Sequence, residues 1–223
     1  MTLNPEQLKA VLFDMDGTLV SSLPVIHYCV NQITGKYAHR SLTTEEVIHT
    51  FGPPAHEIIR RLTGTLDKQI QDRAVREYYD CDASNVGKKV VLFKGIPQLL
   101  AKIQQSGRHL GLVTGVEKIL MDYTLNAFSL AELFETRISR DDVSKGKPDP
   151  EGVKLALSRL GTIPTESLLV GDAPADMLAA KRAGVHTAAA LWSPENIGDP
   201  RRENPDLEFQ TVLQLEEFLF SAR

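Results

Sequence analysis

AVLFDMDGTLVSS, residues 10–22, decides the fold. Four apolar residues, Ala10 to Phe13, run directly into Asp14 and Asp16, two carboxylates a single Met apart, and the chain then turns at Gly17. A short apolar run bounded by a turn signal reads as a strand covered on both faces. The two acids at its end are thereby carried to one edge of a sheet. Whatever balances their charge must arrive from distant parts of the chain.

Three further runs resemble the first: HLGLVT (109–114), SLLVGD (167–172) and VHTAAAL (185–191). Between and beside them, IPQLLAKIQQSG (96–107), EKILMDYTLNAF (117–128), PEGVKLALSRLG (150–161) and PADMLAAKRAG (174–184) carry apolar residues at i, i+3 and i+4. Strands alternating with helices predict an α/β fold, a doubly wound parallel sheet of the Rossmann-like kind. One stretch breaks the alternation. From about Leu23 to Tyr79 the pattern is helical throughout, with breakers expected at Gly35, Gly52-Pro53-Pro54 and Gly64. It reads as an all-helical sub-domain, residues 21–92, inserted after the first strand into a core made of residues 1–20 and 93–223. The tail, NPDLEFQTVLQLEEFL (204–219), predicts a last short strand and a closing helix.

Composition narrows the functions. The 223 residues are 42% hydrophobic and 24% charged, which suits one core with an insertion, and the net charge of -4 leaves no basic field for nucleic acid as a main partner. The N-terminus has no basic leader, and no run approaches the ~20 apolar residues of a membrane span, so a cytoplasmic protein is expected. Cys29 and Cys81 lack metal-like spacing and are expected to stay reduced, as small apolar residues without a disulfide. The histidines form no HxH or HExxH set, which argues against zinc.

In a parallel sheet all carboxyl ends share one edge, so Asp14 and Asp16, Thr114-Gly115 and Gly171-Asp172 should meet in one crevice. Each has a local explanation. Asp16-Gly17 is a turn pair, Thr114 with Glu117 spells a capping box, and Asp172 and Asp149 could cap the helices that follow them. Lys147 in SKGKPDPEG could simply point into water. As a set they ask for more, because capping needs no second carboxylate at position 14 and Asp176 lies one turn beyond Asp172, facing the same way. Several carboxylates on one edge repel unless a hard cation such as Mg²⁺ sits among them. A threonine hydroxyl, free N–H groups at a helix start and a lysine make an anion cradle opposite it. Together they describe a phosphate site.

The order DMDGT (14–18), LVTG (112–115), GKPDPEG (146–152) and GDAPAD (171–176) resembles the four motifs of the haloacid-dehalogenase superfamily, over essentially the whole chain. The FGPP loop, KPDPEG and the ALW…NPD tail are most similar to its phosphoglycolate-phosphatase and pyrophosphatase-like branch. The resemblance implies an Mg²⁺-dependent phosphatase for a small phosphorylated metabolite. Asp14 would be the nucleophile that forms an aspartyl-phosphate, and Asp16 the acid and base. The Asp14 side chain, the Asp16 carbonyl and Asp172 would hold Mg²⁺ with Asp176 in support. Thr114, Gly115 and Lys147 would bind the phosphoryl group. The helical insertion corresponds to a cap, and the partner implied is a small phosphorylated substrate; with no nucleic acid as a main partner and no membrane expected from composition, the chain is expected to be a monomer or homodimer.

Asp16 separates the reading from dehalogenases and phosphonatases, which carry a non-acidic residue there. A mutase of the β-phosphoglucomutase kind would be expected to show histidine at 26, arginine at 55 and Glu-Asp at 171 and 172, where this chain has Ile26, Ala55, Gly171 and Asp172; His27 is one place off. A non-catalytic binding member would have lost a motif residue, and Asp14, Asp16, Thr114, Lys147, Asp172 and Asp176 are all present. Ser21 stands where relatives place Asp. Gly52 and His56 sit where relatives place substrate-selecting residues; His56 either touches the leaving group or is a polar helix residue. Trp192 is expected to pack rather than to edge the cleft.

Overall fold

The computed structural model describes residues 3–194 and 198–220. The outermost residues of the expected core segments, 1–2 and 221–223, lie outside them.

The first apolar run is strand β1 (Ala10–Phe13), followed by the two-residue β2 (Val20–Ser21). Helices α1 (Leu23–Ala38), α2 (Thr44–Ile48), α3 (Ala55–Leu62) and α4 (Lys68–Lys89) come next, and β3 (Val91–Leu92) closes the stretch by pairing antiparallel with β2. The chain then alternates: α5 (Ile96–Gln105), β4 (His109–Val113), α6 (Lys118–Ala127), β5 (Thr136–Ile138), α7 (Glu151–Leu160), β6 (Ser167–Gly171), α8 (Pro174–Ala183), β7 (His186–Ala190), β8 (Leu207–Phe209) and α9 (Val212–Phe220). Among the described residues six strands form one sheet in the order β5-β4-β1-β6-β7-β8, every pair parallel. β1 lies between β4 and β6, so its end sits at the point where the strand order reverses. The doubly wound parallel sheet, its helices, the short last strand and the closing helix are thus as expected.

Alternation along β1 fills both faces. Val11 and Phe13 pack toward α5, α6 and α9, while Ala10 and Leu12 pack toward α7 and α8, all four fully buried. Two layers of helices therefore hold the sheet rigid under its polar edge. At Gly111 on β4 a Cβ would lie 2.6 Å from Leu12 Cδ2, so only glycine lets that neighbour pack.

Three expectations are corrected. Gly35 does not break the first helix: α1 runs through it to Ala38 and ends at His39, whose φ is +50°. Burial of Ile33 and Thr34 beside it outweighs the ~1 kcal/mol that glycine costs in a helix. α4 does not stop near Tyr79 but continues to Lys89 through a polar stretch where only Asp82 and Val86 are buried. The cysteines are not free. Cys29 on α1 and Cys81 on α4 form a disulfide, because the packing of these two helices brings their Cα atoms to 5.7 Å, a proximity that no sequence spacing reveals. Cysteine usage therefore no longer argues for a reducing compartment. The bridge joins residues 52 apart in sequence. On the chain-entropy argument the double substitution Cys29→Ser, Cys81→Ser lowers unfolding free energy by up to about 4 kcal/mol. Urea melts of the oxidised, reduced and substituted protein measure this, with the reduced wild type expected to match the variant. Among the described residues no helix is long and apolar enough to cross a membrane.

Candidate active site

Asp14 follows β1 directly, its N–H donating to the Val170 carbonyl at 2.9 Å, so the sheet ladder continues through it and fixes the side chain at the edge. The chain then doubles back. The N–H groups of Leu19 and Val20 donate to Met15 O, and Gly17, at φ +78°, donates to Val20 O. The turn brings the Thr18 hydroxyl within 3.1 Å of Asp172 Oδ1, to which it donates. Trp192 Nε1 donates to the Thr18 carbonyl at 2.9 Å, a pin on the turn as well as a packing contact.

β6 ends at Gly171 and presents Asp172, and the first turn of α8 presents Asp176. A Cβ on Gly171 would lie 2.5 Å from Asp176 Cβ, so glycine there is what lets the α8 carboxylate come down onto the strand end. Oxygens of Asp14, Asp172 and Asp176, all buried, lie within 4.8 Å of one another. The Asp16 carboxylate is not one of this group, although Asp16 lines the same cavity. Lys147 reaches in from the loop before α7. Its ammonium donates to Asp14 Oδ1 at 2.6 Å, to Val113 O at 3.1 Å and to Asp176 Oδ1.

The electrostatics follow from burial. Desolvation pushes the Asp14 carboxyl up to about 7; Lys147 pulls it back, while Asp176 and Asp16 add to the rise. Asp172 is raised well above the ordinary carboxylate range, by burial first and then by Asp14 and Asp176. Burial opposes the charge on Lys147, but Asp14 and Asp176 outweigh it and hold the ammonium protonated. One lysine offsets one of three clustered carboxylates, and the excess negative charge fits a hard divalent cation with oxygen ligands such as Mg²⁺.

Thr114, just past β4, donates its N–H to Ile138 O and accepts from Val116 N–H at 3.2 Å through its hydroxyl. Around Gly115 the space is open, with nothing within 4 Å of where a Cβ would stand. Both line the cavity with Lys147. The local capping explanations fail for Thr114 and Asp172. Glu117 itself stands at the N-cap of α6 without a capping bond, and Ala173 holds that place for α8. Glu117 is taken instead by the helical stretch: it accepts from Tyr79 Oη at 3.0 Å and is hydrogen-bonded to His56 Nδ1. His56, a part-exposed polar residue of α3, bridges that helix to the loop after β4 through Glu117, which lines the cavity. No spacing in the sequence could pair it with Glu117. Gly52, at φ +123°, does line the cavity.

The cavity encloses about 280 Å³ between the sheet edge and the helical stretch. One further residue on its wall went unread in the sequence: Asp82 of α4, whose carboxyl is pushed up to about 6 by burial. It stands in a polar run with no motif to mark it.

Comparison with known proteins agrees with this arrangement. The family model described as haloacid dehalogenase-like hydrolase matches residues 11–190. The chain is 29% identical over 210 residues to the pyrophosphatase PpaX of Bacillus velezensis, covering 94% of this chain and 95% of that protein. In fold it is similar to a predicted phosphoglycolate phosphatase from Haemophilus somnus, with a TM-score of 0.84 and 22% identity over 94% of this chain and 98% of that one. It is also similar to CbbY from Rhodobacter sphaeroides in complex with phosphate, with a TM-score of 0.79 and 22% identity over 93% and 96%. A family match spanning β1 to β7, on a sheet whose central strand ends in the acidic cluster, places this chain among the haloacid dehalogenase-like hydrolases.

Proposed function

We propose that the protein is a phosphatase that hydrolyses a small phosphorylated metabolite, a phosphoglycolate-like monoester, a nucleotide or pyrophosphate, through an aspartyl-phosphate. The observation that carries the reading is the Asp14 carboxylate, fixed at the end of β1, charge-balanced by Lys147 and lining a half-open cavity. An Asp14 oxygen attacks phosphorus and the bond to the leaving oxygen breaks, with Asp16 delivering the proton that oxygen needs. Asp16 then takes a proton from water, whose oxygen attacks the aspartyl-phosphate and releases inorganic phosphate. Thr114 and the Gly115 N–H hold the phosphoryl oxygens. The three N–H donors of Lys147 are all engaged, so it acts as a fixed positive charge rather than a mobile donor. Mg²⁺, held by Asp14, Asp172 and the Asp16 carbonyl with Asp176 in support, would supply neutralisation of the phosphoryl charge.

Residues 21–92 act as the cap over a core of residues 1–20 and 93–223, and exclude water from the cavity. The His56–Glu117 and Tyr79–Glu117 contacts hold the cap against the core. p-Nitrophenyl phosphate assayed with Mg²⁺, with EDTA and after Mg²⁺ is restored tests the metal. Activity is expected to fall at least about 100-fold in EDTA, the loss of several kcal/mol of charge stabilisation, and to return on readdition. Full activity in EDTA would remove the cation from the reading.

A further inference from the structure

The two ends of the cavity differ in chemistry. Its cations, Lys147 and Arg140, both come from the sheet-bearing part of the chain. Lys147 is engaged with Asp14 and Asp176, and Arg140 donates to the Val143 carbonyl. The opposite wall comes from residues between Ser22 and Val90 and is largely apolar, with Val25, Ile26, Phe51, Ile58 and Tyr78 among its members. Among the described residues of that wall, Asp82 alone carries a charge.

Asp82 is only 6% exposed, and no described group donates a hydrogen bond or forms an ion pair to it. Every other buried carboxylate around the cavity has a partner. Asp14 and Asp176 have Lys147, Asp172 has Thr18, and Glu117 has His56 and Tyr79. An unpaired carboxylate in an apolar wall is costly unless something arrives to pair with it. Nor can it easily withdraw. The neighbouring Cys81 is bonded to Cys29, which fixes α4 against α1 with Asp82 at the cavity.

We propose that Asp82 selects the leaving group: the site takes phosphate monoesters whose alcohol is largely apolar and ends in an ammonium or other hydrogen-bond donor, and turns away leaving groups that are themselves anions. The inference rests on the phosphatase reading above and chooses within it. Pyrophosphate and carboxylate-bearing esters would set a second negative charge against Asp82 with no free cation on that wall to meet it. A cationic or donor-bearing alcohol completes the one unpaired group and buries its carbon skeleton against the apolar residues around it.

The test compares three monoesters with alcohols of similar acidity: benzyl phosphate, 4-(aminomethyl)benzyl phosphate and 4-carboxybenzyl phosphate, with inorganic pyrophosphate as a fourth substrate. In the wild type, kcat/KM is expected to rank the aminomethyl ester first and the carboxy ester and pyrophosphate last. The spread between the charged esters is expected to be about 100-fold, the size of a charge contact in a partly buried site. In Asp82→Asn that ratio collapses at least about 10-fold, a readout that a merely structural role would not move. A wild-type preference for the carboxy ester or pyrophosphate, or an unchanged ratio in Asp82→Asn, overturns the proposal. The wild-type ranking decides alone if the variant does not fold. Hydrolysis of benzyl phosphate without charge discrimination sinks this inference and leaves the phosphatase reading standing; no hydrolysis of any of the four, with Mg²⁺ present, sinks both.

Discussion

On the proposed mechanism Asp14→Asn is expected to abolish turnover of p-nitrophenyl phosphate, by about 10⁴-fold or more, because an amide of the same shape would supply no nucleophilic oxygen for phosphorus. The loss should fall on kcat rather than on folding. Lys147 keeps Asp176 as a charged partner in the variant, so the amide leaves no buried charge unpaired. Thermal unfolding of the variant is therefore expected within a few degrees of wild type. That result separates a chemical role from a structural one. Full activity in Asp14→Asn would defeat the aspartyl-phosphate mechanism.

Gly17→Ala is expected to damage both fold and chemistry. Gly17 sits at φ +78°, where a side chain is strained, and its Cβ would lie 2.0 Å from Asp172 Oδ2 and 2.4 Å from Asp172 Cγ. To admit it, either the turn after β1 opens or Asp172 leaves its place, and the second course breaks the Thr18 hydrogen bond and the three-carboxylate cluster. A stability loss of about 3 kcal/mol or more is expected, combining left-handed backbone strain with a buried clash. On the proposed mechanism kcat/KM should fall with it by at least about 100-fold, since the cluster would no longer hold the cation that neutralises the phosphoryl charge. Gly35→Ala is the contrast. That glycine lies inside α1 with nothing within 4 Å of a new Cβ, so denaturation midpoints should rise, by the equivalent of about 0.5–1 kcal/mol.

Most of the sheet was legible because its information is local. β1, β4, β6 and β7 each show a short, mainly apolar run, and the polar residues that follow β1, β4 and β6 mark the edge of the cavity. Asp14, Thr114, Lys147, Asp172 and Asp176 converge for topological reasons, which a strand order can anticipate. What escaped depends on packing between segments distant in sequence. β2 and β3 are two residues each, too short for any period, and β5 is an edge strand of three. The disulfide needed α1 and α4 to be set side by side, and the pairing of His56 with Glu117 needed α3 to be laid over the loop after β4. The T-x-x-E pattern at Thr114 misled because a carboxylate positioned to cap a helix is equally available to a donor from elsewhere, and here Tyr79 and His56 claim it. Asp82 was invisible for the opposite reason. It stands in a polar helix stretch where nothing marks one acid as facing inward.

The small ribbon made by β2 and β3 has an evolutionary corollary. Val20 pairs with Leu92 and Ser21 with Val91, so the stretch between them leaves from and returns to adjacent rungs of one two-stranded ribbon beside the six-stranded sheet. Everything between those rungs is a cassette whose two ends meet the same socket. On the cap reading proposed above, it could be lengthened, shortened or exchanged without rerouting a strand of the six-stranded sheet, so that selectivity could diversify over an unchanged core.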